Sequence, residues 1–122
     1  MQEASISLDD GLVLNGVRVL VVEDDGLLLM ELEAVLLDAG AEVAGLCWPV
    51  DEALRIVKAG GVDVAILDFG LGKETAAPIA DRLKTDDTPF CFYTGQVATD
   101  PRLHPWSGCA ILQKPSQPRA IV

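Results

Sequence analysis

A chain of 122 residues, half of them hydrophobic, can build one core without disulfide or metal and is short for two domains. Nine Lys and Arg face 19 Asp and Glu, and a formal charge of -10 argues against nucleic-acid binding by this domain while suiting cations and basic partners. No apolar run approaches the ~20 residues of a membrane span, and MQEASISLDDG lacks the basic start and apolar block of a signal peptide, so the chain is expected in the cytoplasm and off the membrane.

The elements follow in chain order. Residues 17 to 22, VRVLVV, form a β-branched run of the kind that a buried parallel strand requires, because a sheet covered on both faces does not alternate polar with apolar. Three carboxylates, Glu23, Asp24 and Asp25, come directly after it. The spacing then predicts a helix over 26–39, with Leu28, Leu32, Val35, Leu36 and Ala39 inward, Asp25 as N-cap or first-turn acid, and Gly40 as the stop. A second strand is expected at about 42–47. Pro49 opens the helix VDEALRIVKA, which Gly60 and Gly61 end, and VDVAILD at 62–68 is a third strand that again finishes in an acid. Thr75 to Lys84 reads as a third helix if Pro78 lies in its first turn, PFCFYT at 89–94 as a fourth strand and CAILQ at 109–113 as a fifth. Between these last two, two prolines and two glycines predict a short or mobile helix. Cys47, Cys91 and Cys109 are odd in number, widely spaced and set among apolar neighbours, which predicts buried thiols and no zinc or redox pair.

Five strands alternating with helices imply right-handed βαβ units and an open parallel sheet covered on both sides. Ligands of such sheets bind beyond the carboxyl ends of the strands. Glu23 and Asp24 end the first strand, Asp68 the third, Thr94 the fourth and Lys114 the fifth, so all five should meet on one rim. Two carboxylates ~4 Å apart repel by ~4 kcal/mol at an effective dielectric of ~20. A divalent cation relieves that repulsion, and hard oxygen ligands suit Mg²⁺.

Taken in order, VLVVEDD, AILDFGL, FYTG and ILQKP resemble the receiver domain of bacterial two-component response regulators across residues 16–115. The resemblance implies an α/β, flavodoxin-like (βα)5 open parallel sheet of three layers with strand order 2-1-3-4-5. Residues 1–15 would be an N-terminal extension and 16–122 the receiver domain. Asp68 would accept a phosphoryl group from a histidine kinase or phosphotransfer protein. Glu23 and Asp24 would hold Mg²⁺ with Asp68 and the backbone carbonyl of Gly70. Thr94 would be the switch hydroxyl that bonds the phosphoryl group, Lys114 its ammonium partner, and Pro115 would follow a cis peptide. The output would be a downstream protein target or output domain, in a signalling phosphoacceptor whose own chemistry is at most slow self-phosphorylation and self-dephosphorylation. FYTG and LQKP also resemble a receiver subgroup with a Phe-x-Thr-Gly signature that often serves stress responses.

Departures from the pattern bear on that reading. Ile111 stands where many receivers place the aromatic switch ring, which leaves Tyr93 or Trp106 as candidate reporters; Gln96 could position a water near the phosphoryl group. Only Ser116 to Val122 follow the fifth strand, so the last helix is expected short or missing, and residues 1–15 or a second copy in a homodimer would cover the bared face. The second apolar side of the first helix, Leu27, Met30, Ala34 and Leu37, is expected in the core, although phosphodonors dock on this helix in receivers. His104, between prolines, is expected at the surface. Among rivals, a flavin-binding protein of this sheet type needs a Gly-rich phosphate cradle where EDDG would repel phosphate. An aspartyl phosphohydrolase needs a general acid that does not stand out. A pseudo-receiver that binds proteins without phosphorylation remains the alternative.

Overall fold

A computed structural model describes residues 14–94 and 110–113. In chain order the elements are β1 (Arg18–Val22), α1 (Gly26–Asp38), β2 (Glu42–Cys47), α2 (Val50–Ala59), β3 (Val64–Leu67), β4 (Gly70–Leu71), β5 (Glu74–Thr75), α3 (Ala77–Thr85), β6 (Phe90–Thr94) and β7 (Ala110–Gln113). The main sheet is parallel throughout, in the order β2-β1-β3-β6-β7. Counting only its own five strands, that is 2-1-3-4-5.

The alternation of β1 decides the layers. Leu20 and Val22 join a core with Val50, Ala53 and Val57 of α2 and Ile79, Ala80 and Leu83 of α3. Val19 and Val21 point the other way, onto Leu29, Leu32 and Leu36 of α1. Both sides of β1 are therefore sealed, which is why its sequence is uniformly apolar. Each Leu or Ile fully withdrawn from water here contributes about 1.5 to 3 kcal/mol.

Helix ends obey their sequence signals. Asp25 caps α1, its carboxylate accepting from the N–H of Leu27 at 3.0 Å and of Leu28 at 3.2 Å, and the chain leaves α1 through Gly40 at φ 90°. Asp51 and Glu52 lie in the first turn of α2 and Lys58 in its last, each on the favourable end of the helix dipole. Pro78 falls in the first turn of α3, which starts at Ala77, two residues later than the periodicity suggests.

Two expectations need correction. Leu27, Met30 and Leu37 are not core; they are 71%, 67% and 53% exposed, and Ala34 is exposed beside them. Helical geometry explains why, because α1 lies on the sheet along the line Leu29, Leu32, Leu36, and its opposite side has no further layer among the described residues. The second is a hairpin, β4–β5, in a stretch to which the sequence assigns no element before Thr75, and Thr75 itself lies in the hairpin and not in the helix. Gly70 pairs with Thr75 and Leu71 with Glu74 across a two-residue turn, Gly72-Lys73. Gly72 has φ 65° and Lys73 does not share that sign, the pattern of a type II′ turn. The expected helix between the fourth and fifth strands, Gln96, His104, Trp106, Cys109, and everything beyond Gln113 lie outside the described residues.

Candidate functional site

The strand ends bring three acids together. Glu23 follows β1 and its N–H donates to the Cys47 carbonyl at 2.9 Å, which extends the sheet pairing by one residue. Asp68 follows β3 and its N–H donates to the Val22 carbonyl, also at 2.9 Å. These two bonds fix both backbones at the same level of the rim, and Asp24 is the next residue after Glu23. Carboxylate oxygens of Glu23, Asp24 and Asp68, one from each, all lie within 4.8 Å of one another.

Burial makes this arrangement costly. Glu23 is 2% exposed and Asp68 8%, the only buried charged residues among those described, while Asp24 faces solvent. At about 4.8 Å and an effective dielectric of about 20, each ionised pair repels by about 3 kcal/mol. Part of the charge on Glu23 is met locally, since its Oε2 accepts the Asp25 N–H at 3.1 Å. The donor set is all oxygen, multiply anionic and open to water on the Asp24 side. It therefore fits a hard divalent cation of the Mg²⁺ type.

Asp68 is held from both directions. Ahead of it lies β3, and after it the Phe69 ring is buried edge-to-face against Phe92, with centroids 5.7 Å apart and planes at 73°. Beyond Phe69 the hairpin begins, so Gly70 is placed by regular pairing. Thr94 closes β6 at the rim, opposite Gln113 of β7 in the parallel register. Lys114 and Pro115 lie outside the described residues, as do the side chains of Thr94 and Ile111.

Two rim features escaped the sequence reading. Trp48, 56% exposed, directly follows the residue that pairs with Glu23; a tryptophan just past a strand end and before Pro49 was the available signal. The β4–β5 hairpin was signalled by Leu-Gly-Lys-Glu, because Gly-X is the two-residue turn of type II′. Cys47 is a buried free thiol, as expected, whereas Cys91 is a free thiol only half-buried in β6. Burial pushes both up to about 11, with Glu52 adding to the effect at Cys47.

An open parallel sheet with helices on both faces and an acid trio at its C-terminal rim defines a CheY-like α/β domain. No family model matches the chain. It is 36% identical to SdrG of Sphingomonas melonis Fr1, with a TM-score of 0.73 over 87% of this chain and 90% of that one. A signal receiver domain of a modulated diguanylate cyclase from Desulfovibrio desulfuricans G20 is 26% identical, with a TM-score of 0.75 over 88% of each chain. A curated relative is the phyllosphere-induced regulator PhyR of Methylorubrum extorquens, 30% identical over 110 residues and 85% of this chain; the chain spans 40% of the length of PhyR. The chain belongs to the receiver domains of two-component response regulators.

Proposed function

We propose that the chain is a phosphoacceptor receiver in the cytoplasm that takes a phosphoryl group onto Asp68 and relays the signal by a change of conformation. One observation carries the reading: the buried Asp68 carboxylate lies with Glu23 and Asp24, all three offering oxygens within 4.8 Å of one another. A purely structural role would not gather like charges there at the cost estimated above.

Glu23, Asp24, Asp68 and the Gly70 carbonyl would hold Mg²⁺. The ion supplies neutralisation of the charge that spreads over the phosphoryl oxygens in an in-line transfer. An Asp68 carboxylate oxygen bonds to phosphorus as the bond from phosphorus to the donor's histidine nitrogen breaks, giving an acyl phosphate and a free imidazole. Lys114, next after β7, pairs with the new phosphoryl charge. Thr94, ending β6, donates its hydroxyl to a phosphoryl oxygen, and the loops around it settle into a second arrangement already present at low population. Ile111 stands at the sequence position of the usual aromatic, which leaves Tyr93 or Trp106 to report the switch.

The donor is a histidine kinase or a phosphotransfer protein, and we place its docking on the exposed side of α1. Leu27, Met30 and Leu37 form an apolar stripe running from the acid rim along the helix, edged by the exposed Glu31 and Asp38. A downstream protein target or output domain reads the same switch.

Intact mass after incubation with acetyl phosphate and Mg²⁺ tests the reading. A single phosphoryl adduct is expected, absent without Mg²⁺ and absent in Asp68→Asn. No adduct on the wild-type chain, alongside retained binding of a partner, would leave the phosphorylation-independent binding module as the function.

A further inference from the structure

The hairpin that follows Asp68 has no part in the main sheet, yet it is fastened at its base, through Leu71 and at its junction with α3. Phe69, at its base, is buried against Phe92, and its carbonyl accepts the Ala76 N–H at 2.8 Å. Leu71 is 5% exposed and belongs to the core beneath α2 and α3. On the other arm the Thr75 hydroxyl accepts the Ala77 N–H at 3.3 Å, tying the hairpin to the start of α3.

Antiparallel pairing alternates between residues that exchange hydrogen bonds and residues that do not. The bond from Ala76 to Phe69 identifies the base as a bonded pair, and the two-residue turn makes Leu71 and Glu74 the next bonded pair. Gly70 and Thr75, between them, are the non-bonded pair. The Gly70 carbonyl is therefore directed out of the ladder, two residues along from Asp68, and the hairpin itself does not use it. A carbonyl in a plain loop would have to be ordered when a cation arrives; here that ordering is done during folding.

We propose that the β4–β5 hairpin is a positioning device for the cation site, holding the Gly70 carbonyl ready for a divalent cation at Glu23, Asp24 and Asp68, with the turn at Gly72 as its fastener. The inference rests on the receiver reading of the acid trio and adds the element that sets cation affinity. Gly72 is well suited to test it. Its φ of 65° favours glycine, and a Cβ added there would meet nothing within 4 Å, so a substitution strains the turn without disturbing a neighbour.

The experiment is a titration of the ¹⁵N-labelled chain with Mg²⁺, read by amide shifts, on wild type, Gly72→Val, Glu74→Pro and Lys73→Ala. Hydrogen exchange at Leu71 and Ala76 reports the hairpin, and thermal unfolding reports the rest. Glu74 is exposed, so Glu74→Pro removes a ladder donor without disturbing the core. Gly72→Val and Glu74→Pro should each open the hairpin and raise the Mg²⁺ dissociation constant about tenfold, the size typical of supporting groups around a metal, with the fold intact. Lys73→Ala should leave both unchanged. If the hairpin opens and the affinity stays put, or if it stays closed in both variants, the inference falls while the site reading stands. If the wild type shows no Mg²⁺ shifts at Glu23, Asp24 and Asp68, both fall.

Discussion

At the N-terminal ends of the strands, Arg18 bonds Glu42 at 3.0 Å and the Gly61 carbonyl at 2.7 Å, while the Arg18 N–H donates to an Asp63 carboxylate oxygen at 2.8 Å. At the C-terminal ends, the carboxylates of Glu23, Asp24 and Asp68 crowd together, with oxygens within 4.8 Å of one another. Both rims join β1, β2 and β3, and both hold acids. At the first rim opposite charges sit in solvent, where a pair contributes a few tenths to about 1 kcal/mol. At the second, two of the three acids are buried, where desolvation and repulsion both oppose folding. The same sheet thus carries an end arranged for folding and an end that, on the proposed reading, binds charge from outside. Stability and function are drawn from opposite ends of the same strands.

The largest expected effect breaks the acid rim. Asp68→Asn removes the proposed nucleophile, and the phosphoryl adduct should vanish from the intact mass spectrum while the fold persists. Next is the cation itself. Mg²⁺ at about 100 times its dissociation constant should stabilise the wild type by about 2.7 kcal/mol, read as a rise in thermal midpoint that EDTA reverses. Asp24→Asn should lose most of that gain, and its metal-free midpoint should equal or exceed that of wild type, because one repelling charge is gone. A metal-free midpoint well below wild type would mean the acids stabilise the fold and would undo the contrast between the rims.

Much of this was legible in the sequence for a physical reason. VRVLVV and VDVAILD announce buried strands because both faces of β1 and β3 are covered, and the acids stand out because each interrupts such a run. Asp25 was readable as a cap from its place before the helix. The exposed side of α1 was not readable, since Leu27, Met30 and Leu37 look like core when only composition and spacing are known; which side of a doubly apolar helix faces the sheet is decided by tertiary packing. The hairpin was missed because strands of two residues have no periodicity, and only the turn pair Gly72-Lys73 carries the signal. Distances between Glu23 and Asp68 come from strand register, β1 against β3, which no local pattern encodes.

A smaller effect separates the rim from the interior. Cys47, at the acid end of β2, and Cys91, within β6, are both pushed up to about 11 by burial. An unfolded chain ionises its thiols near the ordinary value, while the folded chain keeps these protons two pH units longer. The stability at stake is therefore fully present below about pH 9 and is lost as pH climbs towards 11. By pH 10 each thiol should have cost about 1 kcal/mol, and urea midpoints should fall accordingly. Replacing either cysteine by alanine should remove its own share of the slope. An unchanged slope in Cys47→Ala would show that the rim around it is wetter than its burial implies.

The smallest effect concerns the quiet rim and sharpens the contrast most. Arg18→Ala removes an exposed ion pair with Glu42 and one bond to the Gly61 carbonyl, but leaves the Arg18 N–H on Asp63 in place. Pairs of this exposure are screened by water and salt, so the loss should be a few tenths to about 1 kcal/mol and should shrink further in high salt. Four residues of strand separate Arg18 from Val22, about 13 Å at the usual rise, so the acid trio should not register the change. Equal Mg²⁺ affinity in Arg18→Ala and wild type, measured by the same titration, is the expected result. A shift of more than about twofold would mean that β1 transmits strain from one rim to the other, and the sheet would then have to be described as a coupled element whose ends do not act independently.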